Sequence, residues 1–249
     1  MLKPERHAYI LRQVNLHNRV LSANLGQEMN VSEDTVRRDL QELADGGFII
    51  KVHGGALSHS FDHHYTAGTD IYSQASKQVI AKKANKLLKN GMFILTTGGT
   101  TIIEFAKNLP PALQATFISG SIPAILEYIR HPAIDVIVIG DKVSKNAKIT
   151  AGGEALDRIR GIRADLCFIG VNAFDAKVGL TDNDWDVVQL KKAMIVSSKK
   201  VVCLSISEKL DSIQPIHVAN PGQISVLITE LEPDDPKLDA YRDAGIFIL

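Results

Sequence analysis

Cysteine is scarce in this chain, and long apolar runs are lacking. Only Cys167 and Cys203 are cysteines, and each lies in a short apolar run typical of a buried strand, so we expect neither a disulfide nor a bound metal. No apolar run approaches the roughly 20 residues that cross a bilayer, and the start, Leu2 to Arg6, leads into an amphipathic helix rather than a signal peptide. The sequence predicts a cytoplasmic protein without a membrane segment.

An excess of either charge is also lacking. The 249 residues include 28 Lys and Arg and 28 Asp and Glu, while 45% are apolar. This length suits one small and one medium domain with a sizeable core. Residues 1 to 57 are balanced in charge as well, although nucleic-acid-binding modules usually carry a basic excess. DNA binding by this segment would therefore depend on where its charges are placed.

The segment Val31 to Leu40 has the pattern of a DNA-reading helix. Ser32 can accept a hydrogen bond from a free N–H at the helix start, and the two acidic residues that follow suit the positive end of the helix dipole. At about 100° per residue, Val36, Leu40 and Leu43 share one face that can pack. The face that is free to enter a groove carries Asp34, Thr35, Arg37, Arg38 and Gln41. Asp39 is expected to orient an arginine rather than to contact DNA.

Two further helices and a wing are predicted around this helix. Arg6 to Leu16 form the first helix, and Val20 to Met29 form the second with Ser22 as its N-cap. Phe48 to Val52 have the pattern of a strand, after which Gly54 and Gly55 allow a sharp return. This is the order of a winged helix-turn-helix. The alternative is a small helical dimerisation domain whose arginines are only solvated.

These residues resemble the DeoR family of bacterial transcription regulators. The family's hallmark is a Val-Ser-x-x-Thr-(Val/Ile)-Arg-Arg-Asp-Leu run, then a basic residue and His-Gly-Gly-Ala, which this chain matches at Val31 to Leu40 and Lys51 to Ala56. The resemblance implies a double-stranded DNA operator as a partner. The residues expected to contact it, by bases or phosphates, are Ser32, Thr35, Arg37, Arg38, Gln41, Lys51, His53 and Gly54.

Residues 58 to 74 predict a linker, because aliphatic residues are few and Ser, His, Asp and Thr are common. His59, His63 and His64 lack the close spacing with Cys or carboxylate partners that metal sites show. The predicted organisation is a DNA-binding domain over 1 to 57, this linker, and an effector-sensing and oligomerisation domain over 75 to 249.

From Ser76 onward, helices alternate with short apolar strands. The predicted helices are Ser76 to Lys89, Ile102 to Leu109, Ile122 to Arg130, Ala155 to Ile162, Asp186 to Ser198 and Lys237 to Ala244. The predicted strands are Met92 to Thr97, Thr116 to Ser119, Ile134 to Ile139, Asp165 to Val171, Val201 to Ser205, Ser225 to Thr229 and Ile246 to Leu249. This alternation predicts an α/β domain with a mostly parallel sheet that is covered on both faces.

Small polar loops follow three of these strands, where ligands bind in such sheets. The run Gly98-Gly99-Thr100-Thr101 opens a helix, so its N–H groups and the helix dipole favour an anion. Ser119-Gly120-Ser121 and Gly140-Asp141 follow the next two strands. Gly-x-Gly-x-x-Gly and Gly-Lys-Ser/Thr are lacking, so we expect neither a dinucleotide nor a nucleoside triphosphate, and no cofactor. A small phosphorylated or hydroxylated ligand fits better.

The family resemblance extends over nearly the whole remaining chain. The second domain of the DeoR family resembles the sugar-phosphate isomerase fold and senses sugar phosphates, which implies a phosphorylated, sugar-like effector. The effector-binding residues then expected are Gly98, Gly99, Thr100, Thr101, Ser119, Gly120, Ser121, Asp141, Gly152, Asp182 and Lys209.

The chain departs from the family's pattern at four points in these loops. The family commonly has Asp at the position of Thr97, Asn at that of Gly120, Gly at that of Asp141 and Asp at that of Ile206. Loss of carboxylates removes partners for sugar hydroxyls, whereas the glycines and hydroxyls that suit a phosphate remain. We infer that anion binding is kept while sugar recognition is altered.

The acidic run Thr181 to Asp186 leaves two interpretations equally open. Its carboxylates are able to accept hydrogen bonds from ligand hydroxyls, and they are also able to cap the helix that starts near Asp186.

The sequence predicts a transcriptional repressor, not an enzyme, that binds DNA as a homo-oligomer, either a dimer or a tetramer, and answers to a phosphorylated metabolite. One alternative is a sugar-phosphate isomerase-like enzyme with Asp182 or Asp184 as its base and Lys209 stabilising developing charge. The other is a regulator whose degenerate pocket binds no small molecule.

Overall fold

The chain folds into two units, Met1–Tyr72 and Ser73–Leu249. The computed structural model describes residues 1–17, 19–58, 72–145 and 147–249. Most of the segment predicted as a linker, with His59, His63 and His64, lies outside the described residues.

The first unit combines helices with a small antiparallel sheet. Its elements are α1 (Lys3–His17), β1 (Arg19–Leu21), α2 (Ser22–Met29), α3 (Glu33–Asp45), β2 (Ile50–Val52) and β3 (Gly55–Leu57). The strands lie in the order β1-β3-β2. The core includes Ile10, Val14, Leu25, Val36 and Leu40. The predicted winged helix-turn-helix order is confirmed.

The starts of the second and third helices differ in how they are capped. Ser32 is the N-cap of α3, and its Oγ accepts a hydrogen bond from the Thr35 N–H at 3.2 Å, as predicted. The prediction that Ser22 caps the second helix is wrong, because Leu21 is the N-cap and no side chain caps this end. The reason is the strand β1: residues 19–21 pair with β3, and the Ser22 N–H donates to the Gly54 carbonyl at 2.8 Å. The sheet therefore sets where α2 begins.

The second unit alternates strands and helices. Its helices are α4 (Gln74–Asn85), α5 (Thr100–Lys107), α6 (Ile122–Ile129), α7 (Gly153–Arg160), α8 (Trp185–Val196) and α9 (Asp239–Asp243). Its strands are β4 (Phe93–Thr96), β5 (Thr116–Ser119), β6 (Asp135–Val138), β7 (Val143–Ser144), β8 (Ile149–Thr150), β9 (Ala164–Gly170), β10 (Ala173–Asp175), β11 (Gly179–Asp182), β12 (Ser198–Leu204), β13 (Ile216–Ala219), β14 (Val226–Ile228) and β15 (Phe247–Ile248). Short 3-10 turns occupy Ser207–Lys209, Pro221–Gln223 and Pro236–Leu238.

A parallel sheet of seven strands dominates this unit, in the order β15-β14-β12-β9-β4-β5-β6. On one face, Phe105 of α5 lies 4.5 Å from Phe168 and Tyr128 of α6 lies 4.8 Å from Phe117, between ring centroids. The alternate residues of the strands, among them Cys167 and Cys203, belong to a core cluster with α7 and α8. The predicted parallel α/β fold is therefore confirmed, with all the carboxyl ends of the strands at one edge.

A smaller antiparallel sheet, β10-β11-β13, was not predicted from the sequence. Its strands have only three or four residues and include Gly179, Asp182 and His217, so they lack the apolar runs that mark the larger sheet. The predicted helix over Lys237 to Ala244 is a 3-10 turn followed by the short α9.

Across the described ranges, no helix has the length and apolar character needed to cross a membrane. The same residues contain no cluster of three or more His, Cys, Asp or Glu side chains able to hold a metal ion.

Candidate DNA interface and effector site

A partly buried ion pair fixes α3 to α1 in the first unit. Arg6 donates from Nε to Asp39 Oδ2 at 2.7 Å and from Nη2 to Oδ1 at 3.0 Å, while His7 Nε2 lies 3.2 Å from Oδ1. Burial acts to raise the pKa of Asp39, but Arg6 and His7 outweigh it and the pKa is lowered. Asp39 does orient an arginine, as predicted, but that arginine is Arg6 of α1 rather than a neighbour on α3.

The polar side chains on the outward face of α3 differ in their hydrogen bonds and ion pairs. The hydroxyls of Ser32 and Thr35 lie 2.9 Å apart, so Ser32 helps to place Thr35. Arg37 lies 3.6 Å from Glu33 and 3.5 Å from Asp34, in exposed pairs of the kind that add little stability. Arg38 is exposed and, among the residues that the structure describes, makes no hydrogen bond or ion pair. Arg38 is therefore the arginine of α3 that is most available to DNA.

The wing is tied to α3 through Gln41. Lys51 Nζ of β2 donates to Gln41 Oε1 at 2.8 Å, and Gln41 Nε2 donates to Asp45 Oδ1 at 2.6 Å. His53 and Gly54 form the two-residue turn between β2 and β3, with Gly54 at φ +76°. The chain thus presents Lys51 and His53 beside the reading helix, while Gln41 and Gly54 position them.

In the second unit, the loop after β4 meets the end of β9. Gly99 is the residue before α5 and has φ +109°, which favours glycine. A Cβ on Gly170 would lie 2.8 Å from the Gly98 carbonyl oxygen, and the Gly170 N–H donates to Thr97 Oγ1 at 3.0 Å. The first-turn amides of α5, at Thr100 and Thr101, have no partner within their own helix. The loop therefore holds the amide and hydroxyl donors that an anion site would use.

The loops after β5 and β6 lie beside it. Ser119 Oγ donates to the Thr96 carbonyl at 3.0 Å and accepts from the Ser121 N–H at 3.2 Å. A Cβ on Gly98 would lie 3.2 Å from Ser121 Oγ, and one on Gly120 would lie 2.4 Å from Thr150 Oγ1. The structure thus brings Gly98, Ser121 and Gly120 together, while the Ser119 hydroxyl is engaged in holding the loop.

Asp141 and Gly152 form a separate arrangement at the start of α7. Asp141 Oδ2 accepts from the Ala155 N–H at 3.0 Å and Oδ1 accepts from the Lys142 N–H at 2.6 Å. These hydrogen bonds, led by that of Ala155, lower the pKa of Asp141. A Cβ on Gly152 would lie 2.3 Å from Asp141 Oδ2. Asp141 therefore caps α7, and Gly152 makes room for its carboxylate.

Asp182 lies in a buried network at the end of β11. Lys191 Nζ donates to Asp182 Oδ2 at 2.6 Å, and Asp182 Oδ1 accepts from Asn172 Nδ2 at 2.6 Å and from the Asn183 N–H at 2.7 Å. Burial acts to raise the pKa of Asp182, but Lys191 and these hydrogen bonds outweigh it and the pKa is lowered. Asp182 is thus held as a carboxylate whose oxygens are both engaged.

Asp184, two residues further on, caps a helix. Its Oδ1 accepts from the Asp186 N–H at 3.1 Å and from the Val187 N–H at 3.2 Å, so it caps α8. The helix-capping interpretation is confirmed for Asp184.

A cluster of buried lysines completes the site. Lys209 Nζ donates to the Val171 carbonyl at 2.9 Å, one residue beyond the Gly170 that contacts the first loop. Burial and the neighbouring cations Lys77 and Lys191 lower the pKa of Lys209 to about 7. Burial lowers the pKa of Lys77 to about 8, against the opposing effect of Glu104 and Glu208. We call Lys77, Lys191 and Lys209 the lysine cluster.

Two members of the lysine cluster were not among the residues predicted from the sequence. Lys77 shares the buried face of α4 with Ile80, Ala81 and Ala84, and Lys191 lies on the buried face of α8. A lysine at helical spacing within an apolar stripe was the signal that could have identified them, because such a charge is rarely buried without a partner or a ligand.

Comparison with known proteins matches both units. A DeoR-like helix-turn-helix domain matches residues 6–61, and a DeoR C terminal sensor domain matches residues 73–231. The HTH-type transcriptional regulator GolR of Listeria innocua serovar 6a is 30% identical over 97% of this chain and 96% of its own length. The glycerol-3-phosphate regulon repressor of Haemophilus influenzae is 26% identical, over 92% of this chain and 90% of its own length.

The solved structures that match include ribose 5-phosphate isomerase A of Methanocaldococcus jannaschii. It is 22% identical with a TM-score of 0.40, over 54% of this chain and 53% of that one.

Proposed function

The chain belongs to the DeoR family of DNA-binding transcriptional regulators, and on that premise we propose that it is a repressor whose operator binding is controlled by a small phosphorylated, sugar-like effector. Residues 1 to 57 are assigned to DNA binding and residues 75 to 249 to sensing and oligomerisation. The observation that carries the proposal is that the buried Lys209 donates to the Val171 carbonyl, just beyond the carboxyl end of β9, where ligands bind in such sheets.

For DNA, we assign direct contact to the side chains that project outward from α3 and the wing. These are Thr35, Arg37, Arg38, Lys51 and His53. Ser32, Gln41 and Gly54 act by placing them, through the cap, the bridge to Lys51 and the turn. Arginine can bind a guanine edge or a phosphate with two hydrogen bonds. DNA binding would thus depend on a few cations at defined positions, because the segment has no net positive charge.

For the effector, we assign the phosphate to the first loop and the lysine cluster. The amides of Gly99, Thr100 and Thr101 would donate to its oxygens, and Lys77 and Lys209 would supply charge. The rest of the ligand would lie toward Ser121, Gly120 and Asp182. The name of the Haemophilus influenzae relative supports a phosphorylated polyol or sugar as the class of ligand.

The isomerase alternative is not favoured. The relatives described above are named as transcriptional regulators. A general base also needs a free oxygen near the substrate, whereas both oxygens of Asp182 accept hydrogen bonds and Asp184 caps α8.

Fluorescence anisotropy on labelled DNA from upstream of the chain's own gene, with excess competitor DNA, tests the DNA half of the proposal. We expect binding that survives the competitor. Arg38→Ala should weaken it by 1–3 kcal/mol, or roughly 5- to 150-fold, while the matched control Arg160→Ala, on α7, should not. Unchanged affinity of Arg38→Ala at physiological salt would remove Arg38 from the interface.

The same complex tests the effector half with a panel of sugar and polyol phosphates that includes glycerol 3-phosphate. One member should release the DNA, and Thr100→Val should reduce that response without changing DNA affinity. Release by the same member at the same concentration from Thr100→Val would contradict the assigned phosphate loop. Binding of DNA without response to any member would favour the degenerate-pocket alternative.

A further inference from the structure

One edge of the seven-stranded sheet carries an apolar surface that the described part of the chain leaves open. We call it the β6 edge surface. Its members and their exposed fractions are Ile122 (39%), Leu126 (39%) and Ile129 (64%) of α6, Ile137 (46%) and Val138 (48%) of β6, and Val143 (42%) of β7. Single exposed apolar residues are ordinary, but several on neighbouring elements indicate an interaction site.

The helix α6 is apolar on two faces. Ala124, Ile125 and Tyr128 are buried against the sheet. Ile122, Leu126 and Ile129 follow one another at spacings of four and three residues, so they form a second stripe along the helix. A surface helix normally shows polar residues on its outer face, so this stripe predicts a partner.

The strand β6 adds an open edge to that stripe. It pairs with β5 on one side, from Thr116 with Asp135 to Ser119 with Val138, and it ends the sheet on the other. Ile137 and Val138 point to opposite faces because side chains alternate along a strand. Exposed edges of this kind invite pairing with another strand, and proteins usually protect them with charges or proline. The last three residues of β6 are Val136, Ile137 and Val138, which give no such protection.

We propose that two copies of this chain associate through the β6 edge surface about a twofold axis. The surface suits its own copy because its six members are uncharged, and the charges at the end of α6, Glu127 and Arg130, already pair with each other at 3.0 Å. A nucleic acid would require cations there instead. Two β6 strands related by a twofold axis perpendicular to them run antiparallel, which lets each supply the hydrogen-bonding groups that the other lacks.

The composition of the surface also fits this occupant. A stable interface buries about 800 Å² on each partner, with an apolar centre inside a polar rim. Six partly exposed aliphatic side chains and a free strand edge supply such a centre, and Lys142 and Lys145 supply part of the rim. A homodimer would bring two reading helices to one DNA site, which repeated half-sites require.

Sedimentation equilibrium of the full chain measures the association directly. The wild type should have a mass of at least twice 27.2 kDa at micromolar concentration. The double variant Leu126→Glu, Ile129→Glu should have half the wild-type mass, since two carboxylates would be buried without partners. Val196→Glu is the matched control, because Val196 is an apolar residue 80% exposed on α8, outside the surface, and its mass should stay that of the wild type.

A monomeric wild type at tens of micromolar would overturn the proposal, as would a double variant that keeps the wild-type mass. Hydrogen exchange gives a second measurement that does not rely on a variant. The amides of Val136 and Val138 point away from β5, because those of Asp135 and Ile139 donate to β5 and the direction alternates along a strand. They should be protected at high protein concentration and should exchange at low concentration. Equal, rapid exchange at both concentrations would rule out pairing through β6.

Discussion

The cations that we assign to binding lie at different depths in the two units. In the first, Arg37, Arg38 and Lys51 lie at the surface. In the second, Lys77, Lys191 and Lys209 are buried, with exposed fractions of 3%, 5% and 9%. Exposed cations are screened by salt and suit a long polyanion such as DNA, whereas buried cations act in a low dielectric and suit one small anion. On the proposed assignments, the depth of a cation decides whether it binds DNA or a small anion.

The largest effect is expected when a buried charge is removed. Asp182→Asn leaves Lys191 buried without its carboxylate, and we expect a loss of about 3–5 kcal/mol in the free energy of unfolding of the second unit. Urea unfolding followed by the fluorescence of Trp185, the one tryptophan of the chain, reports on this unit. The matched control is Asp157→Asn, which breaks an exposed pair with Arg160 and should cost about 0–1 kcal/mol.

Equal losses of unfolding free energy for Asp182→Asn and Asp157→Asn would show that the buried ion pair contributes no more to stability than the exposed one.

A change in pH should separate the two binding sites. A lysine is charged below its pKa, and that of Lys209 is about 7 in the folded chain, so its charge is lost as the pH rises from 7 to 8.5. A phosphate monoester is already close to doubly charged there. Effector affinity should therefore fall over this range, by up to about tenfold per pH unit. Isothermal titration with the sugar or polyol phosphate that releases the DNA measures this affinity.

Arginine stays charged across this range, so operator binding without effector should change much less. In Lys209→Met the effector affinity should be lower and its pH dependence shallower. A pH dependence as steep in Lys209→Met as in the wild type would assign it to another group.

The smallest effect concerns the cap of the reading helix. Ser32→Ala removes the acceptor of the Thr35 N–H, which should destabilise the start of α3 by about 1 kcal/mol and speed exchange of that amide several-fold. Hydrogen exchange measures this amide directly. Ser22→Ala is the matched control, because Ser22 opens α2 without capping it. Unchanged exchange of the Thr35 amide in Ser32→Ala would show that the Ser32 cap does not stabilise the start of α3.

The sequence and structure agree best where a signal is local. The α3 pattern and the Ser32 cap depend on neighbours along the chain, so the predictions for them are confirmed. The pairing of β1 with β3 joins residues 19–21 to residues 55–57, and no local pattern shows it, which is why Ser22 was taken for a cap. The lysine cluster is assembled from α4, α8 and the turn after β12, so its members are recognisable only after the topology is known. The assigned contact residues in both units stay predictions.

The ion pair of Arg6 with Asp39 has a consequence for which residues of α3 can be substituted. Its carboxylate is committed to the interior, so the Arg-Arg-Asp-Leu run divides into a part that anchors the helix and a part that faces outward. We therefore expect that exchanging Thr35 and Arg38 changes operator preference, while Arg6 and Asp39 continue to hold α3 against α1.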